Sequence, residues 1–184
     1  MNSITLTECI VIMDQMKTPS FLTQINTLHL LIKQTFKNNG KLIFIGNGGS
    51  ASDSQHIAGE FVGIGFPAVS LSSNMSVITA IANDKHYDYI FSDQLTSLST
   101  SKNDVLIAFS TSGNSVNILN AVIKANNLNI KTIGITGNQL NNKLNQFANI
   151  IIQIPSHNTQ RIQEATLLIF HLIYDKIKNE KENK

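Results

Sequence analysis

The chain has 184 residues, 42% of them hydrophobic, and a formal charge of +2. That length supports one domain with a substantial core, and the single cysteine, Cys9, excludes an internal disulfide. The charge is too small to predict a polyanionic partner, and the only arginine is Arg161, so the bidentate contacts that nucleic-acid readers use are nearly absent.

No apolar stretch approaches the roughly 18 residues of a membrane span, and the amino terminus lacks the pattern of a signal peptide. A cytoplasmic protein with no nucleic-acid and no membrane partner is expected.

In chain order, the first forty residues hold no strand candidate and carry two helical patterns broken near Thr18 and Pro19. The proline suits a first helical position, with Thr18 as its cap. In the second pattern Phe21, Leu22, Ile25, Leu28, Ile32 and Phe36 recur at helical spacing. That stripe is core or partner surface, and at least one of the two helices is expected at a subunit interface. Five short runs rich in aliphatic or β-branched residues follow, at 41–45, 68–71, 105–109, 132–135 and 150–154. Helices are predicted over 52–62, 75–82, 115–126 and 159–178. This alternation predicts an α/β fold, a doubly wound parallel five-stranded sheet flanked by helices. Residues 1–184 form one domain in which 1–40 are an amino-terminal helical pair.

The first strand runs into GNGGSASDSQHIAGE, from Gly46 to Glu60, a glycine-rich strand-to-helix turn offering free backbone amides. His56 and Glu60 follow one helical turn apart, on one face, open to work as base, acid or metal ligand. The third strand leads into Ser110, Thr111, Ser112, Gly113, Asn114 and Ser115, where hydroxyls and helix-terminal amides together suit a phosphate monoester. Gly46, Gly48 and Ala51 fit the dinucleotide spacing, but the second strand does not end in the acidic residue that would hold a ribose; a triphosphate loop would need Gly-Lys before Ser or Thr, and none occurs. Asn83 and Asp84, after the run 77–82, supply donors and acceptors for sugar hydroxyls. The last helix carries Arg161, Gln163 and Glu164, then His171 among aliphatic residues. A lone histidine there is ordinarily core, and so are His29, His86 and His157 ordinary structural residues; His171 escapes only because His56 and Glu60 offer the other half of a site.

Together GNGGSASDSQHIAGE, the Ala82-Asn83-Asp84 turn, STSGNS and RIQEATLLIFH resemble the sugar isomerase (SIS) domain family, most closely its phosphoheptose isomerase branch, over nearly the whole chain. The resemblance implies a homotetramer with sites at subunit interfaces and conversion of sedoheptulose 7-phosphate to D-glycero-D-manno-heptose 7-phosphate, the first step toward surface heptose. It implies substrate contacts at Asn47, Gly48, Gly49, Glu60, Asn83, Asp84, Ser110, Thr111, Ser112, Ser115 and Gln163. It also implies one zinc per subunit on His56, Glu60, Gln163 and His171, with Glu60 and His171 as the catalytic proton-transfer pair. That chemistry suits an enediol route, in which a carboxylate and an imidazole move protons between neighbouring carbons.

Gln163 and His171 lie eight residues apart, about 12 Å along one helix and about 80° around it, so one helix converges both on one ion only awkwardly. Ligands from more than one subunit are expected. Many family members carry an arginine-containing segment after the glutamate, where this chain reads FVGIGFP, and some carry an acidic residue where it has Gln160. The alternatives are an isomerase of another sugar phosphate and a regulatory protein resembling the DnaA initiator-associating protein, which lacks the counterparts of Glu60 and His171.

Overall fold

A computed structural model of the chain describes residues 3–98 and 100–182. Two helices lead, α1 (Ser3–Gln15) and α2 (Pro19–Lys37), and the chain then alternates through β1 (Leu42–Gly46), α3 (Gly49–Gly63), β2 (Ala68–Ser70) and α4 (Met75–Asp84). After a 3-10 turn at Tyr87–Tyr89 come α5 (Ser92–Ser97), β3 (Val105–Phe109), α6 (Val116–Asn127), β4 (Lys131–Gly137), α7 (Leu144–Phe147), β5 (Ile150–Ile154) and α8 (Thr159–Glu182). The five predicted strands and the six longer helices are all present. The 3-10 turn, α5 and α7 were not legible, being too short to establish a period.

The strands form one parallel sheet in the order β2-β1-β3-β4-β5. Winding starts at β1, moves outward to β2, then returns past β1 to β3, so the topological switch lies between β1 and β3, where such sheets bind ligands. Within the strands side chains alternate between two cores. Leu42, Phe44, Val105, Ile107 and Phe109 face a core shared with α1, α2, α3 and α8. Ile43, Ile45, Leu106 and Ala108 face a second, covered by α4, α5, α6 and α7. Burial on both faces explains why the strands read as continuous apolar runs instead of alternating ones.

In α2 most of the apolar stripe turns inward: Phe21, Leu28 and Ile32 are buried, Ile25 and Phe36 half-buried, and Leu22 alone is exposed. On α1 the balance is reversed, with Leu6 68% and Ile10 57% exposed. Pro19 opens α2 as expected and Thr18 occupies the cap position, but its side chain does not cap; its hydroxyl lies 3.4 Å from that of Ser20. No described helix is long and apolar enough to cross a membrane.

Helices α3 and α8 run parallel on one face of the sheet and touch at regular intervals. Gln163 meets Ser50, His171 meets His56, Tyr174 stacks edge-on to Phe61, and Lys181 donates to the Ile64 carbonyl. Phe61 and Phe170, both fully buried, root this seam in the core.

Candidate active site

Gly46 and Phe109 are register partners, so the loops after β1 and β3 leave the sheet side by side at the switch. Each loop leads directly into a helix, α3 from Gly49 and α6 from Val116, bringing two positive dipole ends and their free amides to one end of the sheet. Gly48 at φ 57° and Gly113 at φ 68° make the two turns possible. Ser110 is 6% exposed and its hydroxyl has no hydrogen-bond partner. Leaving a buried hydroxyl unpaired costs about 1–3 kcal/mol, which a bound anion would offset. Thr111 and Ser115 are half-buried and Ser112 exposed; Ser115 holds the cap position of α6 without using its hydroxyl there.

His56, Glu60 and His171 converge. The Nε2 atoms of the two histidines lie 3.1 Å apart, Glu60 Oε1 is 3.7 Å from His56 Nε2, and Glu60 Oε2 is 3.6 Å from His171 Nε2. The buried Glu60 Oε2 receives no hydrogen bond. These three residues form a group able to hold a metal ion. Two ring nitrogens on a tetrahedral zinc, each at about 2.0–2.1 Å, would stand about 3.3 Å apart, close to the spacing found. The donor set therefore fits zinc, with one carboxylate oxygen already desolvated and unpaired.

Gln163, the fourth expected ligand, sits further along the α3–α8 seam, toward the amino terminus of α3. Its amide lies against the first turn of α3, with Oε1 2.8 Å from where a side chain on Gly49 would begin and Nε2 3.5 Å from the Ser50 hydroxyl. The separation along α8 thus keeps Gln163 and His171 on different turns of α3. Three of the four expected ligands nonetheless come from one chain, so a second subunit is not needed for those three.

Asn83 and Asp84 are exposed and form the last turn of α4 instead of a loop; their side chains bond each other at 2.9 Å. Beyond them, the 3-10 turn places the Tyr87 hydroxyl 3.1 Å from Asn47 Oδ1. The remaining histidines lie in other parts of the molecule. His29 is buried in the α2–α8 seam, His86 accepts from the Asp88 amide, and the ring of His157 lies 3.3 Å from Gln139 Oε1.

Sequence reasoning missed Asp53, one turn before His56. It is 8% exposed with Oδ2 unpartnered, and burial pushes its carboxyl up to about 6 against an opposing pull from His56. It also missed Asn117 and Asn142, polar residues at 2% and 5% exposure that brace the two loops. The only signal for Asn117 was an amide side chain at a position of core periodicity in α6, and Asn142, in the loop between β4 and α7, gave none.

A sugar isomerase domain is the class that this fold and site define. The SIS domain family model matches residues 8–137. The chain is 44% identical over 164 residues to the phosphoheptose isomerase of Helicobacter pylori strain Shi470, covering 86% of this chain and 84% of that one. It is also 44% identical to the phosphoheptose isomerase of Aliarcobacter butzleri over 153 residues, 80% of each chain. Among solved structures, phosphoheptose isomerase from Neisseria gonorrhoeae superposes with a TM-score of 0.91 at 33% identity over 96% of both chains. That from Francisella tularensis gives 0.88 at 30%, over 97% of this chain and 96% of the other. The chain belongs to the SIS domain family and, within it, to the phosphoheptose isomerases, a family of isomerase enzymes.

Proposed function

We propose that the chain interconverts sedoheptulose 7-phosphate and D-glycero-D-manno-heptose 7-phosphate through an enediol, as the first step of nucleotide-activated heptose synthesis for surface polysaccharide, in the cytoplasm. The observation that carries this reading is the approach of a carboxylate with one buried, unpaired oxygen, Glu60, to an imidazole, His171, in the α3–α8 seam. Glu60 lies eleven residues, about 16 Å, along α3 from its amino terminus, so the phosphate loops that serve this pair come from a neighbouring subunit. The names of the relatives at 44% identity support the substrate.

The phosphate is held by Ser110, Thr111, Ser112 and Ser115 with the amides opening α6, and the sugar hydroxyls by Gly48, Gly49, Asn83, Asp84 and Gln163. Moving the carbonyl from C2 to C1 takes a proton off one carbon and returns it to the next. Glu60 and His171 each serve one of these carbon centres, while the neighbouring oxygen exchanges its own proton. His56, Glu60 and His171 would hold one zinc per subunit, which would polarise the sugar carbonyl. Gln163 completes that ligand set only from another rotamer or another subunit. Exposed Leu6 and Ile10 on α1 support assembly into a homotetramer through that helix.

The test is proton exchange at C1 and C2 with a panel of ketose phosphates. Exchange with sedoheptulose 7-phosphate, lowered roughly 100- to 10,000-fold by Glu60→Gln and by His171→Gln, is expected. Preference for a pentose or hexose phosphate would overturn the substrate, and no exchange with any would overturn the enzyme reading.

A further inference from the structure

The side-chain amide of Asn47, a residue expected to contact substrate, is already engaged by the protein. Its Nδ2 donates to Asn117 Oδ1 at 2.9 Å, and Asn117 Nδ2 donates back to Asn47 Oδ1 at 2.8 Å. Tyr87 donates its hydroxyl proton to the same Asn47 oxygen at 3.1 Å. An amide oxygen has two lone pairs, so both are taken, and one Nδ2 hydrogen is left. Asn117 is 2% exposed, and its Oδ1 also accepts from the Ile118 amide at 3.0 Å, which fixes which way round its amide sits. One turn on, Asn120 donates to the Asp88 carbonyl at 3.0 Å. The first two turns of α6 therefore grip both the loop after β1 and the 3-10 turn.

We infer that Asn117 is a positioning residue: its reciprocal amide pair with Asn47 clamps the loop after β1 to the helix that follows the phosphate loop. Asn47 then meets substrate through its main chain and one amide hydrogen, and its side-chain oxygen is closed to substrate. The reason is preorganisation. The loop's next residue is Gly48, followed by Gly49 at the start of α3, so side chains do little to restrict this turn, and a part-buried pair of neutral hydrogen bonds holds it before substrate arrives. Tyr87 is the third member, tying the α4 exit to the same oxygen. This inference rests on the site being a sugar-phosphate site.

The test is a double-mutant cycle on Asn47→Ala and Asn117→Ala, reading KM, kcat and the thermal midpoint with the ketose phosphate that the wild type isomerises. Each single variant is expected to raise KM roughly ten- to hundredfold, and the double to exceed the worse single by no more than about threefold. The kcat per folded molecule should stay within about threefold of wild type. Multiplying KM effects, or an unchanged KM with only a lowered thermal midpoint, would overturn the clamp. Tyr87→Phe deletes one hydroxyl from an exposed side chain and serves if Asn117→Ala fails to fold. It should raise KM roughly three- to tenfold in the wild-type background and have no effect on top of Asn47→Ala, whereas equal effects in both backgrounds refute the proposal. If the wild type exchanges no proton on any ketose phosphate, the sugar-phosphate reading falls by itself. The same cycles are then read in affinity for inorganic phosphate, where coupling supports the clamp and additivity overturns it.

Discussion

Replacing Gly113 by alanine puts two separate costs on the loop after β3. The residue holds φ 68°, a conformation that costs an L-residue roughly 1–2 kcal/mol. A Cβ there would also collide with the Asn142 side chain, falling inside contact distance of Oδ1 and 2.7 Å from Nδ2. Asn142 is 5% exposed and cannot yield cheaply: it donates to the Thr136 hydroxyl at 2.8 Å and accepts from the Leu144 amide at 3.1 Å. Losing those two bonds costs about 1 kcal/mol each, for a total of about 3–4 kcal/mol. In a chain of this size that corresponds to a fall in thermal midpoint of about 6–16 °C. The damage falls on the loop, so KM for a sugar phosphate should rise by more than tenfold in whatever remains folded. Denaturant unfolding and initial-rate kinetics read both quantities, and a cycle with Asn142→Ala separates them. In that background the collision is gone, and Gly113→Ala should cost only the backbone share, about 1–2 kcal/mol. Equal costs in the two backgrounds, or a total below about 1 kcal/mol, would refute the reasoning.

Ser110→Ala removes a buried hydroxyl with no protein partner. Stability should hold or rise by up to about 1 kcal/mol while KM rises; a loss of stability with KM unchanged would show a structural hydroxyl. His56→Ala should reduce zinc in protein purified without chelator from about one per chain to less than about a tenth of that, by elemental analysis; equal zinc in both proteins would place the metal elsewhere. Burial raises the Asp53 carboxyl from 3.8 to about 6, so the folded chain binds more protons than the unfolded one between those values, and stability falls as pH rises through that window. In metal-stripped protein Asp53→Asn should flatten that fall and gain about 1–3 kcal/mol at pH 7; an unchanged profile between pH 4 and 6 would show that Asp53 is hydrated.

The sheet was legible because both of its faces are buried, which turns each strand into an unbroken apolar run such as LIFIG or VLIAF. The chemical residues stood out for the opposite reason. His56 and Glu60 are polar at one-turn spacing with no structural duty, and His171 interrupts an aliphatic helix. Contacts across the sheet were beyond reach. That Asn47 pairs with Asn117, seventy positions away, or that Asn142 fills the space under Gly113, depends on strand order and register, which single-sequence patterns do not carry. Asp53 was hidden likewise, since burial of a carboxylate is decided by what α3 packs against. The cap at Thr18 failed for a local reason, its hydroxyl turning toward Ser20 instead of a backbone amide.

The parallel seam of α3 and α8 separates two tasks that many enzymes mix on the same loops. On the function proposed, the phosphate is recognised at the sheet's end, on loops, whereas Glu60 and His171 ride on two rods seated by Phe61 and Phe170. Exchanging the cradle after β3 for one of different shape would leave the Glu60–His171 spacing untouched. On that proposal the same pair of helices is a transplantable proton-transfer unit, and other sugar phosphates would be approached by remodelling loops alone.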